Sequence, residues 1–277
     1  MKKFLSVLLA AVMTISVISI FAACSKDTNE TTNNNSDNDT SAAADSDLAY
    51  IKDKGKLVIG VTVYEPMNYK DKETDEWTGF DTEYAEAVCE KLGVDAEFVI
   101  IDWDNKFLEL DAKTIDCIWN GMTITDEVKL NASVTDAYVK NAQVVVTTAD
   151  VKANYTTLAE MTDLAFAAEA GSAGAGALDD AGITYTAVSD QASALMEVAS
   201  GSSDACVIDI TMANAMTGEG TSYEDLVQAE ELNEEEYGIA CRKDSDLTAE
   251  INKITDELIA DGTLDKLAEK YSLTLIK

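Results

Sequence analysis

The sequence predicts an α/β fold in which strands and helices alternate along the chain. Two observations carry this. Short β-branched and apolar runs, bounded by glycine or acidic residues, recur throughout. Between them lie stretches whose apolar residues return every three or four positions, the period of a helix with one buried face. The alternation runs through both halves of the chain, which predicts two α/β lobes.

Lys56 to Thr62 (KLVIGVT) follows Gly55 and is expected to be the first strand. Asp81 to Leu92 is expected to be helical, because Phe80, Tyr84, Val88 and Leu92 recur every four residues. Gly93 stands where a left-handed C-terminal cap is needed. Ala96 to Ile101 and Thr114 to Trp119 follow as strands, and this spacing implies a right-handed βαβ crossover. In the second half, Leu164 to Ala168 and Thr184 to Val188 are short strands. Ser189 is placed to cap a helix whose Ala192, Leu195, Met196 and Ala199 share a face, and Gly201 ends it. Ala205 to Ile210 is a buried strand. Ile251, Ile254 and Leu258 mark a helix closed by Gly262, and Leu264 and Leu267 begin a shorter one before Tyr271.

The N-terminus carries an address. Lys2 and Lys3 precede an apolar run from Phe4 to Phe21, and Ala22-Ala23 lead into Cys24. A basic start, an apolar centre and small residues before a cut form a secretory signal. The cysteine directly after the small pair resembles a lipobox, which implies cleavage before Cys24 and a diacylglycerol on its sulfur. Residues 1–23 are therefore expected to be a lipoprotein signal peptide. Residues 24–47 hold no aromatic or branched apolar residue outside the cysteine and read as a disordered tether.

Composition excludes some functions. The chain has 52 Asp and Glu against 20 Lys and Arg, a net charge of −32, and no histidine. Nucleic-acid binding depends on basic side chains that neutralise phosphates, so no nucleic acid is expected as a partner. Cys89, Cys117, Cys206 and Cys241 lie in apolar surroundings without a CxxC pair, so buried free thiols are expected and no metal site.

The stretch IDCIWNGMTITDEVK, Ile115 to Lys129, carries the strongest functional signal. With KGKLVIGVTVYEPM, GFDTEYAEAVCEKLG, DAYVKNAQVVV, EAGSAGAGAL, SSDACVIDI, EEYGIACRKDSDL and ADGTLDKLAEKY, in that order, it resembles the bacterial extracellular solute-binding proteins of family 3, the substrate-binding lipoproteins of polar amino acid ABC transporters. The resemblance implies a two-lobed fold of the type II periplasmic-binding-protein kind with a two-strand hinge. Lobe 1 would be 48–143 and 238–277, lobe 2 would be 144–237, and the hinge would be Gln143 to Thr148 and Tyr237 to Lys243. It implies a monomer, lipid-anchored to the outer face of the cell membrane, that captures a polar amino acid or small amine by cleft closure and passes it to an ABC transporter permease. No cofactor is expected. A sensor subunit, or a dehydratase-like enzyme on the same scaffold, are the alternatives, the second weakened by the lack of histidine for acid–base work.

A zwitterionic ligand needs donors for its carboxylate, an acceptor for its ammonium and apolar walls. By resemblance, Tyr64 and Trp103 are the aromatic walls. Trp119 offers a further wall or an indole N–H, though ordinary core packing accounts for it equally well. Asn120, Gly121 and Thr123 face the ligand from lobe 1. Gly171 and Ser172 donate to a carboxylate from lobe 2, and Asp209, closing the strand ACVID, accepts from the ammonium. The expected arginine is missing: its position is Val128. Hydrogen bonds to charged groups contribute about 1.5–3 kcal/mol each, and truncating a desolvated charge pair costs about 2–5 kcal/mol. Three readings stay open: Lys129 or Lys140 supplies the charge instead, the ligand lacks an α-carboxylate, or binding is weak or lost.

Overall fold

The computed structural model describes residues 46–277. The expected signal peptide, the lipidation site Cys24 and the tether up to residue 45 lie outside the described residues. Helix α1 (Asp47–Lys54) is capped by the Ser46 side chain, which accepts from the Ala49 amide, and Gly55 closes it at φ 73°. Asp47, placed by composition at the end of the tether, is buried and pairs with Arg242. The chain continues through β1 (Lys56–Val61), β2 (Tyr69–Lys70), β3 (Trp77–Thr78), α2 (Phe80–Leu92), β4 (Asp95–Ile100), α3 (Lys106–Asp111), β5 (Cys117–Thr123), α4 (Asp126–Asn131) and β6 (Ser133–Val134). The long strand β7 (Val139–Thr148) then leads to α5 (Ala149–Lys152), β8 (Phe166–Glu169), α6 (Ala173–Asp180), β9 (Tyr185–Val188), α7 (Gln191–Ala199), β10 (Ala205–Asp209) and α8 (Ile210–Met216). Strand β11 (Leu226–Cys241) returns, and α9 (Leu247–Ala260) and α10 (Thr263–Tyr271) complete the chain.

Eight strands run in the order β4-β1-β5-β11-β7-β10-β8-β9, with β6 paired to β11. β4, β1 and β5 are mutually parallel, as are β10, β8 and β9. Between these groups lie β7 and β11, antiparallel to each other from Val139↔Tyr237 to Thr148↔Leu226. From Tyr237 onward β11 instead pairs with β5, ending at Cys241↔Cys117. The chain thus passes between the two parallel groups along two adjacent extended strands. One apolar cluster runs beneath both groups, and smaller ones lie under α3 and α4 and beside α6.

Three expectations are corrected. The cap of α7 is Asp190, whose carboxylate accepts from the Ser193 amide, rather than Ser189. Its buried face is Gln191, Ala194, Leu195 and Val198, whereas Met196 is 59% exposed. The packed face is one residue, about 100°, round from the expected one, which leaves Met196 in solvent. Strand β5 also runs four residues beyond Trp119, because Tyr237 and Gly238 of β11 supply its pairing partners there. Among the described residues the four cysteines are free and buried, and no helix is long and apolar enough to cross a membrane.

Candidate functional site

A cavity of about 400 Å³ opens where the carboxyl ends of β5, β8 and β10 face one another, the usual place for a ligand in an α/β sheet. Trp103 borders it from a short 3-10 turn that Asp102 caps by accepting from the Asp104 amide. Next to it, Lys106 opens α3, buried although it is a lysine. Its Nζ donates to the Trp103 carbonyl at 3.1 Å and, across the cavity, to the Gly171 carbonyl at 3.0 Å. Burial lowers its pKa from the ordinary lysine value. Gly171 adopts φ 67°, and a Cβ there would sit 2.7 Å from Asp104 Oδ1. Glycine is required by both the left-handed backbone and the close approach of the opposite side.

The opposite wall is built of carboxylates and the amides that hold them. Asp209, 3% exposed, accepts from Asn141 Nδ2 at 2.8 Å, from Gln191 Nε2 at 2.5 Å and from Gln143 Nε2. Gln191 also accepts the Asp209 amide at 2.8 Å, so both ends of the residue are fixed. Glu235 lies on β11 and shares two of those amides, accepting from Asn141 at 2.6 Å and Gln143 at 2.7 Å, and from Thr123 Oγ1 at 2.8 Å. Glu169 ends β8 at 2% exposure, and its Oε1 has no hydrogen-bond partner. Burial pushes the Glu169 carboxyl up to about 8, with Asp209 and Asp190 adding to the rise and Thr62 and Lys106 opposing it. Burial likewise pushes Glu235 up to about 7 and raises Asp209, and the charge of Asp209 adds to the shift at Glu235.

The structure brings together Trp103, Asn120, Gly121, Thr123, Gly171, Ser172 and Asp209 on the cavity wall. Ser172 also caps α6, its Oγ accepting from the Ala175 amide at 3.1 Å. Tyr64 and Trp119 are not on that wall. Tyr64 is buried behind it, its hydroxyl bonded to that of Tyr237, with Asp209 close enough to raise its pKa after burial. Trp119 points into the core against Tyr84, ring centroids 4.7 Å apart. The Trp119 Nε1 meets no hydrogen-bond geometry, although it lies near enough to Asp81 to help hold that carboxyl down against burial. Asp81 accepts the Gly121 amide at 2.6 Å and the Tyr138 hydroxyl at 2.9 Å, fixing the β5 segment that borders the cavity. Gly121 itself is at φ 54°, and a Cβ there would meet the Tyr64 ring at 2.6 Å. Gly121→Ala is therefore expected to destabilise the fold by about 2–4 kcal/mol, combining a left-handed alanine with overpacking. A urea midpoint equal to that of the parent protein would contradict this.

Val128 lines the cavity but packs among Trp103, Met122 and Leu110, with its amide donating to the Thr125 cap. Lys129 and Lys140, considered as substitutes for the arginine, are exposed and do not line the cavity. The buried cation is Lys106 instead. Its sequence neighbourhood, DNKFLELD, has no pattern that singles it out. Glu169 was findable: like Asp209 it closes an apolar strand, FAAE beside ACVID.

The family model for bacterial extracellular solute-binding proteins, family 3, matches residues 57–274. The L-cystine-binding protein TcyA of Bacillus subtilis (strain 168) is 29% identical over 98% of this chain and 97% of its own length. A mutant of ArgBP from T. maritima is similar in structure at TM-score 0.76 and 32% identity, covering 81% of this chain and 98% of that one. A substrate-binding protein of an ABC uptake transporter from Streptococcus pneumoniae, with bound histidine, is similar at TM-score 0.75 and 28% identity, over 82% and 96%. The fold is that of the type II periplasmic binding proteins, and the class is a binding protein rather than an enzyme.

Proposed function

We propose, because the chain belongs to the bacterial extracellular solute-binding proteins of family 3, that it captures a polar amino acid or related small amine in the cavity and presents it to an ABC importer. One observation carries the reading. Asp209 is a carboxylate buried at the end of β10, held by three side-chain amides and open to a cavity of ligand size. Such a group is placed to accept from an ammonium, and no histidine exists in the chain to turn it to acid–base work. The lobes would be 48–143 with 238–277, and 144–237, hinged where β7 and β11 cross between the parallel groups. A ligand touching both sides binds the closed form better than the open one and shifts the population toward it. Cys24 would carry the lipid that holds the protein at the outer face of the membrane, within reach of the permease.

The relatives named above bind cystine, or bear histidine, which supports a search among small nitrogenous solutes. A thermal-shift screen of amino acids and amines is expected to raise the melting temperature with at least one of them. A ligand at 100 times its Kd adds about 2.7 kcal/mol, a shift of several degrees for a domain of this size. A flat response to every compound would refute the reading.

A further inference from the structure

We infer that the cavity selects a dicationic amine or amidine without a carboxylate, whose positive groups are received along one wall by Glu169, Asp209 and Glu235. The inference rests on the solute-binding reading above and narrows the chemistry of the ligand. Three independent observations support it.

The first is a shortage of free donors. A ligand carboxylate requires N–H or O–H groups aimed into the cavity. The Thr123 hydroxyl donates to Glu235, and the Asn141 and Gln143 amides hold Glu235 and Asp209. Gln191 donates to Asp209, and Lys106 to two backbone carbonyls. Val128 has nothing to donate. What remains on the wall is the hydroxyls of Ser172 and Thr125, the Asn233 amide, the first amides of α6 and one N–H of the Lys106 ammonium, with no guanidinium among them.

The second is an unpartnered acceptor. Glu169 Oε1 is buried and meets no hydrogen-bond geometry, although Thr62 lies near enough to help hold the carboxyl down, and native proteins rarely leave such an atom unpaired. Glu169 borders the cavity, so a donor bound there lies beside this carboxylate. Organic ammonium or amidinium groups fit better than a metal ion, because the described residues hold no group of three His, Cys, Asp or Glu side chains set to ligate one.

The third is charge. Two buried carboxylates, Glu169 and Asp209, and the half-buried Glu235 share the cavity with one buried ammonium, that of Lys106. Buried charges are paired or neutralised, so the full set accommodates two further positive groups. A zwitterion would instead bring another negative charge into a cavity whose wall also carries Asp126, Glu127 and Asp180.

The test uses pairs of compounds that differ only by a carboxylate, cadaverine against lysine and agmatine against arginine, titrated calorimetrically into the full folded protein at pH 8. The member lacking the carboxylate is expected to bind at least tenfold tighter in one or both pairs. Glu169→Gln, which keeps the shape and removes the charge, should weaken that member at least tenfold while circular dichroism stays that of the parent. Glu235→Gln provides a second reading should Glu169→Gln misfold. Val128→Arg is expected to move the preference toward the amino acid. Failure of both pairs to show this preference, with lysine or arginine still binding, would overturn the inference and leave the solute-binding reading standing. Silence from amino acids and amines alike would overturn both.

Discussion

Arg242→Met is expected to destabilise the folded protein by about 3–5 kcal/mol, the usual consequence of breaking a buried ion pair from one side. Arg242 is the only arginine in the chain and is 7% exposed. Its Nε donates to both oxygens of Asp47 at 3.0 Å, its Nη1 to the Ile115 carbonyl at 2.8 Å, and its Nη2 to Asp116 Oδ1 at 3.3 Å. Asp116 in turn accepts the Val58 amide at 2.7 Å and Lys54 at 2.5 Å. One guanidinium therefore joins α1, β1, the approach to β5 and the end of β11. Methionine of similar reach fills the space but leaves Asp47 with only Lys113 at 3.8 Å. Such a loss corresponds to a drop of roughly 10 °C in melting temperature for a domain of this size. Arg242→Lys should recover only part of it, since a single ammonium cannot serve four acceptors in a fork. Equilibrium urea unfolding measures both, and a loss under about 1 kcal/mol for the methionine variant would show that the cluster contributes little net stability.

That cluster also shows what the sequence discloses and what it withholds. Phe80, Tyr84, Val88 and Leu92 are buried on α2 as their spacing requires, and Gly93 caps it at φ 75°. Periodicity is a local property, so local sequence reports it. Asp209 is legible because a charge ending an apolar strand has few structural explanations. Glu235 is not, since it stands in the run NEEEYG that reads as a solvated edge. It is half-buried because β11 pairs with β7 there, which brings Asn141, Gln143 and Thr123 onto its carboxylate. Lys106 has the same history: its burial comes from the Gly171 carbonyl, 65 positions away. Asp81 reads as an ordinary first-turn acid of a helix, and its hold on Gly121 appears only when α2 packs against β5. Met196 fails in the other direction, an apolar residue that a one-position rotation leaves in water. Groups whose role depends on convergence from distant segments stay hidden, whereas groups marked by the pattern of their own element do not.

Between pH 5 and pH 8 the ligand-free protein is expected to lose stability while its affinity for a cation rises. The chain has no histidine, so the usual titration in that range is absent. The four buried cysteines, Cys89, Cys117, Cys206 and Cys241, are raised by burial, away from it. Asp71, Glu160, Asp246 and Asp261 are lowered and titrate below it. What titrates there is Glu169 at about 8 and Glu235 and Asp81 at about 7, beside Asp209, which burial also raises. In each case the folded state keeps a proton that the unfolded chain, with an ordinary carboxylate, has already released. The folded state is thus the more protonated one, and stability falls as pH rises through the window, by up to about 1.4 kcal/mol per pH unit and group. Because Glu235 and Asp209 share the Asn141 and Gln143 amides, their contributions are not additive, and a total of roughly 3 kcal/mol over the range is the expectation. Lys106, pulled down by burial, acts with the opposite sign from the alkaline side, so the range stops at pH 8. A bound cation reverses the balance at Glu169 and Glu235, because it favours their ionised forms and must displace their protons. Calorimetry of a bound amine in buffers of different ionisation enthalpy is expected to show proton release at pH 6.5 that diminishes in Glu169→Gln. Apo stability that is flat or rising from pH 5 to 8 would show that these carboxylates are not held protonated. Proton uptake on binding would show that they do not receive the ligand's charge.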